Sequence, residues 1–312
     1  MATVTIGNWQ KALWPGVDGW FNAEYEEYET EYTQIFTTRS SSRQFEQTVG
    51  MSLLGRAVDK AEGESISYDD TQQTYVNQYD NIVRALGVII TLEAYRYNQY
   101  GDQLSALSKK PKSLARSMRD TKETHGANVL NNGFSGSFTM GSSSDGVALF
   151  SASHPSGPYG DDRDNLLTAA DLSETTLEDA CIEIAGALTP RGLKAKIMPY
   201  CLVIPRQLDF IAGRILNSTL QNDTSTNALN VLKSQNSIPD GKKINHFLTD
   251  SDAWFVVTSI NEKGEGLVVY DNWPLEFGMD NDFDTFNMKS KAFEAYSFGW
   301  DDFQGVFGNA GA

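Results

Sequence analysis

The residues with the widest chemical range in this sequence are three histidines, and one of them follows a pair of serines. His154 lies in the stretch Ser151-Ala152-Ser153-His154-Pro155, while His125 and His246 are far from it. An imidazole can activate a hydroxyl for nucleophilic catalysis, but the two groups must meet in space, and adjacency along the chain does not achieve this. We therefore interpret His154 as structural rather than catalytic. His125 is expected in a long helix, and His246 in a strand-like stretch.

The sequence matches no common metal-binding or nucleotide-binding pattern. The acidic stretch 280–285 (DNDFDT) invites a calcium interpretation, but an EF-hand loop needs Gly at its sixth place and Glu at its twelfth. Those places hold Thr285 and Lys291. The acidic residues at 161–164 are typical of a solvated turn, and no phosphate-binding loop, dinucleotide fingerprint or nucleophile elbow occurs. We predict no catalytic, cofactor-binding or metal-ligating residues, no cofactor, and no enzymatic activity.

The two cysteines, Cys181 and Cys201, form no C-x-x-C pair. A disulfide framework or a zinc site would need more cysteines, or histidines at ligand spacing. Each lies in an apolar or mixed segment, so we interpret both as small buried hydrophobic residues. The pattern leaves open a single bond between the two.

Composition bounds the class of protein. The chain has 312 residues, of which 40% are hydrophobic and 21% charged, with a formal net charge of −16. This length predicts one large domain or two intertwined ones, and such acidity opposes general attraction to nucleic-acid phosphates or an anionic membrane. The start lacks a positive charge cluster, and the longest apolar run, near 86–90, is far below the roughly 20 residues of a membrane span. A soluble protein made in the cytoplasm is expected.

The strongest helix pattern covers residues 102–131, where apolar residues recur at steps of three or four. Pro111 is expected to kink or divide this helix. The apolar stripe comprises Leu104, Leu107, Pro111, Leu114, Met118 and Val129, and the opposite, basic face comprises Lys109, Lys110, Lys112, Arg116, Arg119 and Lys122. Because this face has no interleaved aromatic residues for stacking on bases, an acidic protein partner is favoured over DNA.

Two segments before the helix have too little apolar material to fold alone. Residues 1–48 form a predicted arm with Glu and Tyr interleaved over FNAEYEEYETEY, and it lies either on its own subunit or on a neighbour. Residues 50–85 form a predicted long polar two-stranded loop.

From about residue 170 the pattern becomes α/β. Ser173 is expected to cap a helix with an apolar stripe at Leu177, Cys181, Ile184 and Leu188. A buried strand at 200–204 precedes Pro205, which suits the first turn of the next helix. Residues 254–257 and 267–270 are predicted as two strands joined around 261–264, and 286–300 as the final strand.

Six strings in order give the chain a family resemblance. They are SLARSMRDTKETHGANVLNNGF (113–134), ALFSASHPSGP (148–158), DNLLTAADLSETTLEDA (164–180), YCLVIPRQLDFIAGRIL (200–216), INHFLTDSDAWFVVT (244–258) and DNDFDTFNMKSKAFEAYSFGW (280–300). Together they resemble the major capsid subunits of tailed phages, particularly the group similar to the major head subunit of phage Mu. The resemblance covers roughly residues 100–310, and the first hundred residues match less clearly.

The resemblance implies an α+β fold of the type first described in Hong Kong phage ninety-seven. Its parts would be an N-terminal arm (1–48), an extended β-hairpin loop (49–85), a peripheral domain (86–169) with a spine helix (102–131), an α/β axial domain (170–278), and a C-terminal return to the peripheral domain (279–312). It also implies that the chain self-assembles into pentamers and hexamers of an icosahedral head around double-stranded DNA, without sequence-specific binding and without a membrane. Localisation would be the virion, after assembly in the host cytoplasm.

Two departures from relatives shape the expected partners. Some relatives carry a long scaffolding segment that is cut away; none is recognisable here, which implies either a separate scaffold protein, besides the portal, or no scaffold. Others cross-link subunits through Lys and Asn, but no motif identifies a partner for Lys60.

Charge complementarity then predicts which residues lie between subunits: the acidic arm or the acidic loop would cross a neighbour's basic spine helix. The residues are Glu24, Glu26, Glu27, Glu29 and Glu31 of the arm, Glu62, Glu64, Asp69 and Asp70 of the loop, and Lys109, Lys110, Lys112, Arg116 and Arg119 of the helix. The alternative is that all are solvated faces. At the level of function, the alternatives are an encapsulin-like nanocompartment shell, another virion component, and a soluble α/β hydrolase using His154.

Overall fold

The computed structural model describes residues 18–27, 29–91, 93, 103–136, 145–156, 162–221 and 228–312. Residues 18–25 are helical. The other helices are α1 (Gln103–Asn131), α2 (Glu174–Gly186), α3 (Asp209–Asn217), α4 (Val231–Ser234) and α5 (Ser259–Glu262). The strands are β1 (Thr37–Ser40), β2 (Phe45–Met51), β3 (Gln73–Asp80), β4 (Ile82–Ile90), β5 (Pro199–Ile204), β6 (Lys242–Ile244), β7 (Trp254–Thr258), β8 (Leu267–Asn281), β9 (Met288–Trp300) and β10 (Val306–Asn309).

The first sheet has the strand order β1-β8-β9-β4. Its centre is the long antiparallel hairpin of β8 and β9, in which Leu267 lies opposite Trp300 at one end and Asn281 lies opposite Met288 at the other. Strand β4 runs antiparallel to β9, and β1 runs parallel to β8. The strand predicted over 286–300 is therefore confirmed as β9, and it lies inside the sheet rather than at its edge. It is not the final strand as predicted, because the short strand β10 follows it and pairs with β7 in the second sheet.

Helix α1 matches the helix predicted over 102–131. Its 29 residues give a length of about 44 Å, and it packs on β9 and β4. The helix continues through Pro111, so the proline does not divide it. The helix is retained because tertiary packing of an apolar face outweighs local propensity: Leu114 and Met118 are almost completely buried. Side chains of the predicted stripe before residue 109 lie outside the described part.

The second sheet has the order β10-β7-β5-β6 and is covered by α2 and α3. Ser173 caps α2 as predicted, because its hydroxyl accepts from the N–H of Thr176 and Thr176 caps in return. Pro205 lies one position earlier than predicted, as the cap of a short 3-10 turn, Arg206–Leu208, that leads into α3.

The interpretation of 254–257 and 267–270 as strands is confirmed, but they do not belong to one sheet. Strand β7 pairs with β5 and β10, whereas β8 pairs with β1 and β9. The short helix α5 carries the chain from one sheet to the other. Both runs are buried on both faces, and such a run does not reveal its pairing partner. Since Phe255 and Val257 share one apolar core with Val269 and Phe298, the two sheets are woven together.

The extended loop has strands only at its base. Strands β2 and β3 pair antiparallel, with Phe45 opposite Asp80 at one end and Met51 opposite Gln73 at the other. Residues 52–72 between them contain no strand. The two-stranded structure predicted over 50–85 is therefore too long. Residues 52–72 have no second layer to bury an apolar face, and an isolated ribbon of two strands is marginal in water.

Candidate functional site: projecting segments and charged surfaces

The described part of the arm docks on its own subunit through an aromatic anchor. Phe21 is completely buried and stacks on Phe277, with ring centroids 4.5 Å apart. It packs in a small apolar cluster with Leu114 and Met118 of α1. The short helical segment 18–25 thus covers the apolar stripe of the long helix.

Acidic residues of the arm meet basic residues of the same chain. The Glu24 carboxylate forms ion pairs with Arg116 and with Lys112, the latter at 3.4 Å between Oε2 and Nζ. Glu27 lies 3.4 Å from Arg116. Desolvation opposes ionisation of Glu24, but the hydrogen bond from Lys112 and the charge of Arg116 outweigh it and lower the pKa of Glu24. The complementarity inferred from sequence therefore exists within one subunit.

A second junction lies at the end of the arm, where Glu123 of α1 accepts from two backbone groups. The N–H groups of Glu31 and Tyr32 donate to its carboxylate at 3.1 and 3.0 Å, and Arg119 lies 3.4 Å away on the same helix face. The Glu31 carboxylate in turn accepts from the N–H of His246 at 2.8 Å and lies 2.6 Å from its Nδ1. His246 lies in a turn after β6, not in a strand.

Other acidic residues of the predicted interface are open to solvent. Glu26 and Glu29 of the arm and Glu62, Glu64 and Asp70 of the loop are exposed. Within the described ranges these five carboxylates have no ion-pair partner. Asp69 differs, because it binds Arg191 of the α/β part of the chain.

The basic face of α1 divides in the same way. Lys112, Arg116 and Arg119 face carboxylates of their own chain. Lys109 and Lys110 are exposed, and the Nζ of Lys110 donates a long hydrogen bond of 3.4 Å to the backbone oxygen of Ile89. No described carboxylate forms an ion pair with either lysine, so this end of the basic face has charge to offer another molecule.

Lys122, predicted on that basic face, is instead buried under the helix. It is 7% exposed, and its Nζ lies 2.8 Å from Asp271 and 3.8 Å from Glu294. It also lies over the rings of Tyr32 and Tyr296. Burial disfavours the charged form of Lys122, but the surrounding hydroxyls and carboxylates outweigh this effect and raise the pKa of Lys122. Burial of the Glu294 carboxyl raises the pKa of Glu294. Helical spacing alone placed Lys122 at the wrong surface, because its long side chain reaches the sheet.

The two most exposed large apolar side chains lie on the projecting segments. Tyr68 of the loop and Phe283 at the tip of the β8–β9 hairpin are each 92% exposed. Met51 at the end of β2 and Leu53, Leu54, Val58 and Ile66 of the loop are 53–75% exposed. Several large apolar side chains left in water on one projecting segment are the kind of surface that binds another molecule.

His154 is fully buried in a polar junction rather than in an open site. Its Nδ1 contacts the carboxylate of Asp145, and its Nε2 lies 3.0 Å from Oδ1 of Asn165. The orientation of Asn165 is fixed, because its amide nitrogen donates to three backbone carbonyls. The neighbouring hydroxyls do not contact the imidazole. The Ser151 hydroxyl donates to the carbonyl of Ser153, and the Ser153 hydroxyl donates to the carboxylate of Asp162. The imidazole is thus not paired with a serine. It contacts Asp145 and Asn165, and its ring stacks on Phe303 near the C-terminus with ring centroids 3.7 Å apart.

Neither cysteine forms a disulfide. Burial raises the pKa of Cys181 to about 11 and that of Cys201 to about 12, so both are protonated thiols near neutral pH. In the described ranges no group of three or more His, Cys, Asp or Glu side chains is placed to hold a metal ion. None of the described helices has the length and apolar character needed to cross a membrane.

Comparison with known proteins identifies the family. A family model described as "Phage capsid protein" matches residues 79–309. This chain belongs to that family. The match includes α1, strands β4, β8 and β9 of the first sheet and the whole second sheet, whereas strand β1 and most of the β2–β3 hairpin precede it. A search of curated protein sequences gives no match.

Solved structures show the same fold. The chain is similar to the capsid of Myoviridae phage XM1, with 10% identity, a TM-score of 0.52, and 89% of each chain covered. For the mature capsid of bacteriophage PhiM1 the identity is 10% and the TM-score 0.53, with 91% of this chain and 87% of the PhiM1 chain covered. For the capsid of cyanophage P-SCSP1u the identity is 10% and the TM-score 0.54, with 91% of this chain and 88% of the cyanophage chain covered. The α+β capsid fold expected from the resemblance is confirmed, and the chain is a structural protein of a phage capsid shell.

Proposed function

We propose that this chain is the major shell subunit of a tailed-phage head, that it assembles into pentamers and hexamers around packaged double-stranded DNA, and that it has no catalytic role. The family match over residues 79–309 carries the proposal. A separate scaffold protein and a portal would act with it, and assembly would take place in the host cytoplasm before the protein becomes part of the virion.

The exposed surface of the subunit supports self-association. A permanent interface commonly buries about 2,000–5,000 Å² and is partly apolar. Residues 52–72 and the β8–β9 tip project apolar side chains that their own subunit does not cover. A net charge of −16 also suits a container for DNA, because a lining that does not bind phosphate lets the DNA move in and out.

Among the predicted interface residues, the free charges indicate which pairs join subunits. Lys112 and Arg116 already face Glu24 in their own chain, so an additional carboxylate gains little there. Lys109 and Lys110 have no such partner among the described residues, and neither have Glu62 and Glu64 of the loop. We therefore assign the contact between subunits to the loop of one copy and the exposed end of α1 in the next, rather than to the arm.

Charge reversal tests this assignment. The double variant Lys109→Glu/Lys110→Glu should block capsomer formation at 50 mM salt, measured by sedimentation velocity. The quadruple variant that adds Glu62→Lys and Glu64→Lys should restore it. The matched control Lys194→Glu/Lys196→Glu changes the net charge equally at two exposed lysines elsewhere. Normal assembly of the first variant at both 50 and 500 mM salt would show that the pairing is wrong.

Negative-stain microscopy of the purified protein, alone and with its scaffold, tests the function itself. Closed icosahedral shells are expected. Rings or tubes would indicate another virion component, and shells filled with an enzyme cargo would indicate a nanocompartment. A stable monomer with hydrolytic activity would refute the proposal.

A further inference from the structure

Residues 52–72, the projecting loop, are connected internally at few points. At the base the N–H of Ser52 donates to the carbonyl of Gln72 at 2.8 Å, and at the tip the N–H of Glu64 donates to Ala61 at 3.3 Å. Between these points one side chain joins the two legs: the Asp69 carboxylate accepts from the N–H of Gly55 at 2.7 Å. Asp69 therefore fixes the spacing of the legs where no strand pairing does.

The same carboxylate connects the loop to the α/β part of the chain. It forms an ion pair with Arg191, whose side chain is 13% exposed, whereas that of Asp69 is 42% exposed. Arg191 lies in a tight turn closed by bonds from Thr189 to Leu193 and from Gly192 to Thr189, with Gly192 at φ +72°. Within the described ranges this is the one ion pair between residues 52–72 and the rest of the chain.

Apolar packing does not hold the loop in place. A cavity of about 580 Å³ lies between the base of the loop and the body, lined among others by Met51, Leu53, Thr189 and Ile197. This space is a cleft open to solvent, so the facing surfaces make few van der Waals contacts across it. The direction of the loop then depends strongly on the polar contact at its side.

The contact leaves the apolar side chains of the loop uncovered. Val58, Ile66 and Tyr68 are 75%, 65% and 92% exposed. An autoinhibitory contact would bury the side chains that a partner needs. Here the loop is restrained while its apolar surface stays open, which is the arrangement that lowers the ordering cost of binding.

We propose that Asp69 and Arg191 form a latch that preorganises the loop of the free subunit for binding to a second copy of this chain. The inference rests on the proposed function, in which the loop lies on a neighbouring subunit. Without the latch the legs separate and the loop samples many directions, so capture of the neighbour becomes slower.

The protonation state supports a latch that is permanently charged. The hydrogen bond from Arg191, followed by that from the backbone of Gly55, lowers the pKa of Asp69 to about 2. The carboxylate is therefore ionised at any pH at which the subunit would be handled, and salt rather than pH is the variable that weakens the pair.

Hydrogen exchange in dilute, unassembled subunits tests the latch directly. Asp69→Asn should raise exchange in residues 53–71 roughly 1.5-fold to fivefold, the range expected for loss of one exposed ion pair. Asp70→Asn is the matched control, since Asp70 is an exposed neighbouring carboxylate with no ion pair among the described residues, and it should leave exchange unchanged. The swap Asp69→Arg/Arg191→Asp should recover part of the protection.

Assembly kinetics followed by light scattering supply the second measurement. Asp69→Asn should slow shell formation, and the swap should recover part of the rate. Unchanged exchange in Asp69→Asn, or faster assembly, would overturn the proposal. If the wild-type protein forms no shells at all, the proposed function fails, whereas the exchange experiment still decides whether the contact restrains the loop.

Discussion

Replacement of Phe21 by alanine is the most direct test of where the arm lies in the free subunit. Phe21 is completely buried and stacks on Phe277. Burying a Phe side chain stabilises by about 1.5–3 kcal/mol, the ring stacking adds about 0.5–1.5 kcal/mol, and truncation also leaves a cavity. Together these place the loss near the lower end of the roughly 3–5 kcal/mol seen for Phe→Ala in cores.

The loss should appear first as local opening of the arm. Phe21 belongs to a small cluster with Leu114, Ala115, Met118 and Ala292, separate from the two large cores. Segments with few buried contacts open before the whole domain unfolds. A cost of about 3 kcal/mol corresponds to a rise of roughly 100-fold in the opening equilibrium, so protection of residues 18–27 should largely disappear.

Hydrogen exchange with peptide resolution, on unassembled subunits, is the appropriate assay. Phe283→Ala is the matched control, because the same truncation at a side chain that is 92% exposed should leave the arm unchanged. Phe21→Leu should show an intermediate effect. If Phe21→Ala changes exchange in residues 18–27 by less than threefold, the arm is not docked on its own helix, and the alternative of an arm on a neighbouring subunit is restored.

Four further predictions concern the body of the subunit. Lys122→Met should lower the free energy of unfolding, measured in guanidinium, by about 3–5 kcal/mol, because it leaves the buried Glu294 and the partly buried Asp271 without their cation; a loss below about 1 kcal/mol would contradict this role. Burial raises the pKa of Glu294, so its contribution to stability is present below the unfolded value of 4.5 and declines as the pH rises through the folded pKa; Glu294→Gln should remove that part of the decline above the unfolded value. Gly305→Ala should give misfolded or strongly destabilised protein, since a Cβ there would meet backbone at 2.5 Å, whereas Gly186→Ala, with nothing within 4 Å, should fold normally. The pKa of Cys201, raised to about 12, predicts negligible labelling by a thiol reagent at pH 8 until denaturant is added, and rapid labelling of the native protein would show that the thiol is accessible.

Periodicity determined the single elements of this protein well. The long helix, the Ser173 cap, the buried strand at 200–204 and the strand at 286–300 all lie where the sequence indicates, whereas the short strand β10 was not predicted. Each of these depends on residues within a few positions of one another: a stripe at helical steps, a hydroxyl three residues before an N–H, or a short apolar run. The ordered strings also identified the capsid family, which the family match confirms.

Pairing and charge partners were decided only by the tertiary structure. The run 254–257 in β7 and the run 267–270 in β8 are equally apolar, and nothing local assigns them to different sheets. Pro111 costs the helix a hydrogen bond, but burial of the stripe around it outweighs that cost. Lys122 has the spacing of its basic neighbours, yet it turns under the helix to reach Asp271.

The charged surfaces illustrate the physical limit most clearly. The sequence determined that acidic and basic segments exist and complement each other, because composition and spacing are properties of the chain itself. It did not determine that Glu24 would meet Lys112 in the same subunit while Lys109 remains exposed. Coulomb attraction depends on distances in space, and those distances are set by which apolar surfaces pack together across the whole fold.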